Sequence, residues 1–164
     1  LKRIHIIGRK NSGKTTLVVD LVRHLTHQGL RVGTIKHTRH HHELDTPGKD
    51  SYLHRQAGAA AVGILSPDLN AVFWPALSGE DAHQRYQRML TLFAHCDLVL
   101  VEGHSQMDGP KVEVWRASVA ETPLAASDTD ILAVVSDDAA AVRTPVWPRS
   151  DVALIATRLQ ELAE

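Results

Sequence analysis

The string Gly8-Arg9-Lys10-Asn11-Ser12-Gly13-Lys14-Thr15 constrains this chain more than any other. It fits G-x-x-x-x-G-K-[ST], a phosphate-binding loop that works only between a strand and a helix. Both flanks comply. Ile4, Ile6 and Ile7 form a β-branched run ending at Gly8, and Leu17, Leu21, Val22 and Leu25 recur at helical spacing. In such a loop, glycine lets the backbone curl so that N–H groups face phosphate oxygens, and the helix start adds partial positive charge. Gly8, Asn11, Ser12 and Gly13 are therefore candidate cradle residues. Lys14 is placed to reach the β- and γ-phosphates, and the Thr15 hydroxyl to ligate Mg²⁺.

The rest of the chain reads as one domain around that loop. At 164 residues it is long enough for a full core. A 43% hydrophobic share and a net charge of −1 suit a globular protein and give no basic footprint for nucleic acid. A single cysteine, Cys96, excludes an internal disulfide and a Cys-rich zinc site. Beside Leu92 and Phe93 it reads as a buried, inert thiol. No run is long enough for a membrane helix and no signal peptide is visible, so the cytoplasm is the expected compartment.

Along the chain, a helix over 14–27 stops at Gly29, and residues 31–36 form a second strand. Strand, helix, strand at this spacing is a βαβ unit with parallel strands. Residues 37–48 are polar and contain Pro47-Gly48, so they form a loop. A short helix follows to Gln56, broken by Gly58. Residues 60–65 and 71–74 read as a hairpin around Ser66–Asn70. A helix is expected over 79–95. Leu98–Val101, four aliphatics in succession, read as a fully buried strand. Residues 111–116 alternate and read as a half-exposed strand. Residues 131–135 form another buried strand, and a helix capped by Ser150 or Asp151 closes the chain. The expected fold is a three-layer α/β P-loop NTPase fold: a mostly parallel sheet, helices on both faces and an added hairpin.

A nucleotide site of this kind needs an acid for Mg²⁺ at the carboxyl end of a neighbouring buried strand. Glu102, followed by Gly103, occupies that position, with a structural ion pair as the alternative reading. Asp97 lies at the wrong end of its strand and reads as a cap or surface charge. Asp45, on the long loop, is a second metal or phosphate candidate and equally a turn former. Lys36 ends the second strand at the edge where open α/β sheets bind ligands, and reads either as a phosphate contact or as a solvated lysine. Lys49 and Asp50 open a helix, where capping and ligand roles both fit. The guanine-reading Asn-Lys-x-Asp string is absent. Asp137, just past the strand at 131–135, stands where a carboxylate can accept guanine N1–H and N2–H. No arginine holds a clear finger position; Arg9 is the nearest, with solvent exposure as its plainer reading. His37, His40, His41 and His42 crowd one loop but lack the i, i+4 spacing that makes helical histidines converge on a metal.

Several segments together resemble one family. They are Val32-Gly33-Thr34-Ile35-Lys36-His37-Thr38, Asp45-Thr46-Pro47-Gly48-Lys49-Asp50-Ser51, Arg55-Gln56-Ala57-Gly58-Ala59, Leu98–Gly103 and Pro110-Lys111-Val112-Glu113-Val114-Trp115-Arg116. The chain is similar to the MobB family, the molybdopterin-guanine dinucleotide biosynthesis adaptor proteins. The resemblance implies a GTP-binding, weakly GTP-hydrolysing homodimer of the SIMIBI class. Its implied partners are molybdopterin and the MobA-type guanylyltransferase that joins GMP to it. By matching positions, Gly13, Lys14, Thr15 and Thr16 would bind phosphate, and Thr15 and Glu102 would serve Mg²⁺, with Lys14 and Glu102 the residues any hydrolysis depends on. Lys36, Asp45, Lys49 and Asp50 would line the nucleotide or cofactor groove. The chain departs from the pattern at His104-Ser105, where relatives tend to carry an aromatic and a lysine.

Three functions fit these residues to different degrees. An adaptor needs only the nucleotide grip; without a general base or finger arginine, hydrolysis stays slow, on the order of 10⁻⁴ s⁻¹ as in Ras-type proteins. A small-molecule or nucleoside kinase needs an acceptor base and an arginine-rich lid, and the lid candidate here carries only Arg39. Metal delivery is the third reading, since some P-loop proteins of this class assemble metal enzymes and the chain has 11 histidines. The strands over 62–74 and 111–116 are the expected edges for a dimer interface.

Overall fold

The computed structural model describes residues 1–38 and 40–163. They fall into two units, one of Leu1–Thr38 with Met89–Glu164, the other of Arg39–Arg88. Arg39 itself, the arginine of the lid reading, lies outside the described residues. In chain order the first unit begins with β1 (Arg3–Ile7), α1 (Lys14–His27) and β2 (Val32–Lys36). The second carries α2 (Asp50–Gln56), β3 (Val62–Leu65), β4 (Asn70–Phe73) and most of α3 (Ala82–Leu90). The first then resumes with β5 (Leu98–Glu102), β6 (Lys111–Val114), β7 (Ile131–Val135), β8 (Val146–Trp147) and α4 (Val152–Leu162).

The first unit is built on a six-stranded sheet in the order β2-β5-β1-β6-β7-β8, every neighbouring pair parallel. Two of its inner strands, β5 and β7, read as near-continuous aliphatics because both faces are covered. Alternate side chains point to opposite faces. Ile4, Ile6, Leu98, Leu100, Val112, Val114, Ala133 and Val135 meet Leu17, Leu21 and Leu25 of α1 and Ile155 and Leu159 of α4 in one apolar core. The α1 helix ends where Gly29 takes φ 88°, with the Leu30 N–H returning to the Leu25 carbonyl at 3.1 Å. Asp151 caps α4 by accepting the Leu154 N–H at 2.9 Å.

Short 3₁₀ turns contribute to the opposite face. The turn Leu124–Ala126 packs on β7. At Gly33 a Cβ would lie 2.5 Å from Phe93 Cδ1 and 3.0 Å from Cys96 Sγ, so the strand needs a glycine there to admit the ring. Here β6 departs from its alternating pattern. All four of its residues are buried and it lies between β1 and β7, so it is neither half-exposed nor a free edge. Internal partners make this possible. The Glu113 carboxylate accepts the Leu124 and Ala125 N–H groups at 2.8 and 2.9 Å, and Lys111 lies 3.6 Å from Asp130.

His5 is buried on this same face. Burial first, then the charges of His104, Arg3 and Lys111, lower its imidazole to about 4, against a weaker opposing hydrogen bond to the Gly103 backbone carbonyl. In the unfolded chain the ring takes a proton below about 6.5. Folded, it resists until about 4, so stability is full above pH 6.5 and falls between 6.5 and 4. The linked loss is about 3 kcal/mol. Urea titrations at pH 7 and pH 4 measure it, and His5→Asn should flatten the slope. An unchanged slope in that variant would assign the loss to other groups.

Within the second unit, α2 ends at Gly58, φ 98°, where the Gly58 N–H reaches the Arg55 carbonyl at 3.1 Å. β3 and β4 form the expected antiparallel hairpin, Val62 opposite Phe73. The helix expected over 79–95 is shorter. The Gln84 N–H donates to Asp81 Oδ1 at 2.8 Å and the Asp81 N–H to Gln84 Oε1 at 3.1 Å, a capping box that starts α3 at Ala82. The chain leaves α3 at Leu90 for a 3₁₀ turn over Thr91–Phe93. Among the described residues, no helix is long and apolar enough to cross a membrane.

Candidate functional site

Strand register assembles the site at the carboxyl edge of the sheet. β1 runs into the Gly8–Thr15 loop. On one side Ile6 pairs with Glu102, which in turn pairs with Lys36. On the other side Ile7 pairs with Glu113, so β6 ends alongside Gly8. The approach is close: a Cβ on Gly8, at φ 140°, would stand 2.4 Å from the Val114 carbonyl oxygen. Asn11 and Gly13 also take positive φ, 62° and 98°, which turns the chain into α1. A loop of this form offers backbone N–H groups and a positive helix end to an anion.

The side chains complete that environment. The Lys14 ammonium donates to the Gly8 and Arg9 carbonyls at 2.9 and 2.6 Å, curled over its own loop. Burial lowers its pKa, against the raising influence of Glu102, and Lys36 lowers it slightly further. The Thr15 hydroxyl donates to Glu102 Oε1 at 2.7 Å, and Lys36 Nζ lies 3.9 Å from the same oxygen. Glu102 is only 14% exposed, and these neighbours supply partners that a largely buried carboxylate requires. Thr15 Oγ1 and Glu102 Oε1 are two adjacent hard oxygens, the donor type that suits a small divalent cation. Gly13, Lys14, Thr15, Thr16 and Glu102 line a cavity of about 530 Å³, together with Asn11. A second cavity of about 470 Å³ adjoins it across Thr15 and Glu102. Val19, Val22 and Ile35 make it apolar, with Lys36 on its wall.

Other expected residues are engaged elsewhere. Asp137 is absent from the lining of the phosphate-side cavity. Its Oδ1 accepts both the N–H and the hydroxyl of Ser150 at 2.9 Å, bonds that hold its carboxyl below the usual range. Asp97 binds the Arg31 backbone and guanidinium, both at 2.7 Å, and is depressed to about 2. Arg9 does not simply face solvent; it pairs with Glu121 at 2.7 Å. In the second unit, Asp45 Oδ1 accepts the Thr46 N–H and the Ser51 hydroxyl at 2.8 and 3.0 Å. Lys49 caps α2 and Asp50 opens it. His40 and His42 stand edge to face at 6.1 Å, while His37 stacks on His104 at 3.9 Å. Among the described residues, no group of three His, Cys, Asp or Glu is placed to hold a metal.

The family model described as molybdopterin guanine dinucleotide synthesis protein B matches residues 3–137. The chain belongs to the MobB family. It is 35% identical to the molybdopterin-guanine dinucleotide biosynthesis adapter protein of Escherichia coli (strain K12) over 127 residues, 77% of this chain and 73% of that protein. The Haemophilus influenzae adapter protein matches at 35% over 135 residues, 80% and 72% of the two chains. Among solved structures, the crystal structure of molybdopterin-guanine biosynthesis protein B superposes with a TM-score of 0.72 at 30% identity, covering 99% of both chains. The six-stranded parallel sheet is thus the MobB fold, of P-loop NTPase type.

Two further residues line the phosphate-side cavity of this MobB chain, Lys10 and Arg116. Lys10 occupies a variable position of the loop motif. Arg116 closes the segment Pro110–Arg116, and its role depends on β6 lying beside β1. The available signal was that a strand's carboxyl end in a parallel sheet faces the ligand edge.

Proposed function

We propose that the chain is a cytoplasmic, GTP-binding MobB adaptor. On this reading it works as a homodimer and assists the MobA-type guanylyltransferase that joins GMP to molybdopterin. The observation that carries the proposal is one cavity shared by Lys14, Thr15 and Glu102 at the end of β1, in a chain of this family. The residues fit a nucleotide with Mg²⁺. Lys14 holds two loop carbonyls that a phosphate oxygen can replace, and positive φ at Gly8, Asn11 and Gly13 gives the loop the curl of an anion-binding turn. Thr15 and Glu102 would hold the cation, directly or through its water. When bound, Mg²⁺ would neutralise phosphate charge. Lys36, on the apolar cavity, is the proposed contact for the molybdopterin phosphate. Asp45, Lys49 and Asp50 remain proposed groove residues, and Asp137 the proposed guanine contact, which requires Ser150 to yield its place.

Calorimetry of GTP against ATP, with and without Mg²⁺, tests the reading, and capture of purified guanylyltransferase tests the partner. GTP should bind at least about 10-fold more tightly than ATP, and equal affinities would overturn the guanine assignment. Rapid phosphorylation of a nucleoside acceptor would favour the kinase instead. Glu102→Gln should reduce the Mg²⁺-dependent gain in GTP affinity about 10-fold, ~1.4 kcal/mol, without weakening Mg²⁺-free binding, since a carboxylate facing the phosphates is removed. A variant with the full Mg²⁺ gain would remove Glu102 from the cation site.

A further inference from the structure

The phosphate-side cavity carries more positive charge than the loop motif explains. Lys10, Lys14 and Arg116 face it, against one carboxylate, Glu102, which Thr15 and Lys36 already engage. Arg116 stands apart from the other two because it comes from the segment just past β6 rather than from the loop. Its backbone is fixed on every side. The Trp115 N–H donates to the Val135 carbonyl at 3.1 Å, and the Ala117 N–H to Asp138 Oδ2 at 2.7 Å. The Arg116 carbonyl accepts the Val119 N–H at 3.1 Å. The segment closes on itself where the Trp115 indole N–H meets the Glu121 carbonyl at 2.7 Å, and the Glu121 carboxylate is anchored to Arg9. The exposed guanidinium makes no ion pair among the described residues. The nearby acids Glu121 and Asp138 are committed to Arg9 and to the Ala117 N–H.

We infer that Arg116 is the contact that distinguishes a nucleoside triphosphate from a diphosphate, supplied in cis from the end of β6. This rests on the nucleotide reading of the cavity. A guanidinium offers a planar fork of donors that matches phosphate oxygens in pairs, and it stays charged at any working pH. A donor held on a rigid backbone needs little reorganisation when the anion arrives. Lys14 belongs to the loop that cradles the inner phosphates. Arg116 shares its cavity with Thr15 and Glu102, the groups that would hold a cation beside the outer phosphates. The outermost phosphate is therefore the one within its domain. Arg9, the arginine nearest in sequence, serves instead as a strut between the loop and the 115–121 segment.

The experiment is calorimetry on the full chain with GDP and a non-hydrolysable GTP analogue, each with Mg²⁺, for wild type, Arg116→Ala, Arg116→Lys and Lys14→Ala. Arg116→Ala should weaken the triphosphate analogue about 10- to 100-fold and leave GDP within about 3-fold, while Arg116→Lys recovers part of the loss. Lys14→Ala should weaken both ligands. Equal effects of Arg116→Ala on the two nucleotides, or none on either, would overturn the role of Arg116 while nucleotide binding stands. If wild type binds neither nucleotide, the cavity reading falls, and this inference with it. Thermal melts of the exposed-site variants should match wild type, and a collapse of the Arg116→Ala melt would assign the residue to stability instead.

Discussion

Lys14→Ala is expected to weaken triphosphate binding about 1000-fold, ~4 kcal/mol, in a protein that remains folded. The ammonium makes two charge-assisted bonds to loop carbonyls, and contacts of that type contribute about 1.5–3 kcal/mol each when made to a charged ligand. Its pKa is already lowered by burial, so a phosphate placed beside it relieves an unfavourable environment as well as adding bonds. Removal also leaves the Gly8 and Arg9 carbonyls directed at the incoming anion, which repels it. Lys14→Arg is not a mild substitute, since a broad guanidinium does not occupy the place of a compact ammonium. Calorimetry with the GTP analogue, beside circular dichroism of the variant, measures both halves of the expectation. An affinity within about 10-fold of wild type would detach Lys14 from the phosphates.

Gly8→Ala is expected to cost about 4 kcal/mol of folding stability, since it adds two effects. At φ 140° a side chain brings backbone strain of about 1–3 kcal/mol. The new Cβ would also stand 2.4 Å from the Val114 carbonyl oxygen, a contact that only movement of β1 against β6 can relieve. Thermal unfolding should fall by about 10 °C for a chain of this size. Gly13→Ala provides the control. It shares the positive φ, 98°, but its Cβ would meet nothing closer than Val114 Cγ1 at 4.0 Å. Its loss should be the strain alone, about 1–3 kcal/mol. Equal shifts for the two variants would mean that the strand contact contributes nothing.

What could be read from sequence was what is local. The loop motif, the buried run before Glu102, the glycine stops at Gly29 and Gly58 and the Asp151 cap all follow from residues within a turn or two of one another. The failures share a cause in distance along the chain. Lys111 and Glu113 read as solvent-facing because their partners, Asp130 and the backbone of Leu124 and Ala125, belong to a later turn that no strand pattern reveals. Arg116 carries no local signal, because its place depends on β6 pairing with β1. β8 is only two residues long, too short for any period. Asp137 stands at the strand edge as position required, but Ser150 occupies its carboxylate through a contact across the α4 turn.

The strand order also sets a timetable for the ribosome. β1, at the middle of the sheet, finds its two neighbours only in residues 98–102 and 111–114. At roughly 5–20 residues per second of synthesis, several seconds pass in which Ile4, Ile6 and Ile7 have been made and have no strand beside them. α1 can form early and shield one face of that run, but both edges of the strand stay open. In a nascent chain, both edges of β1 therefore stay open until β5 and β6 emerge to close them.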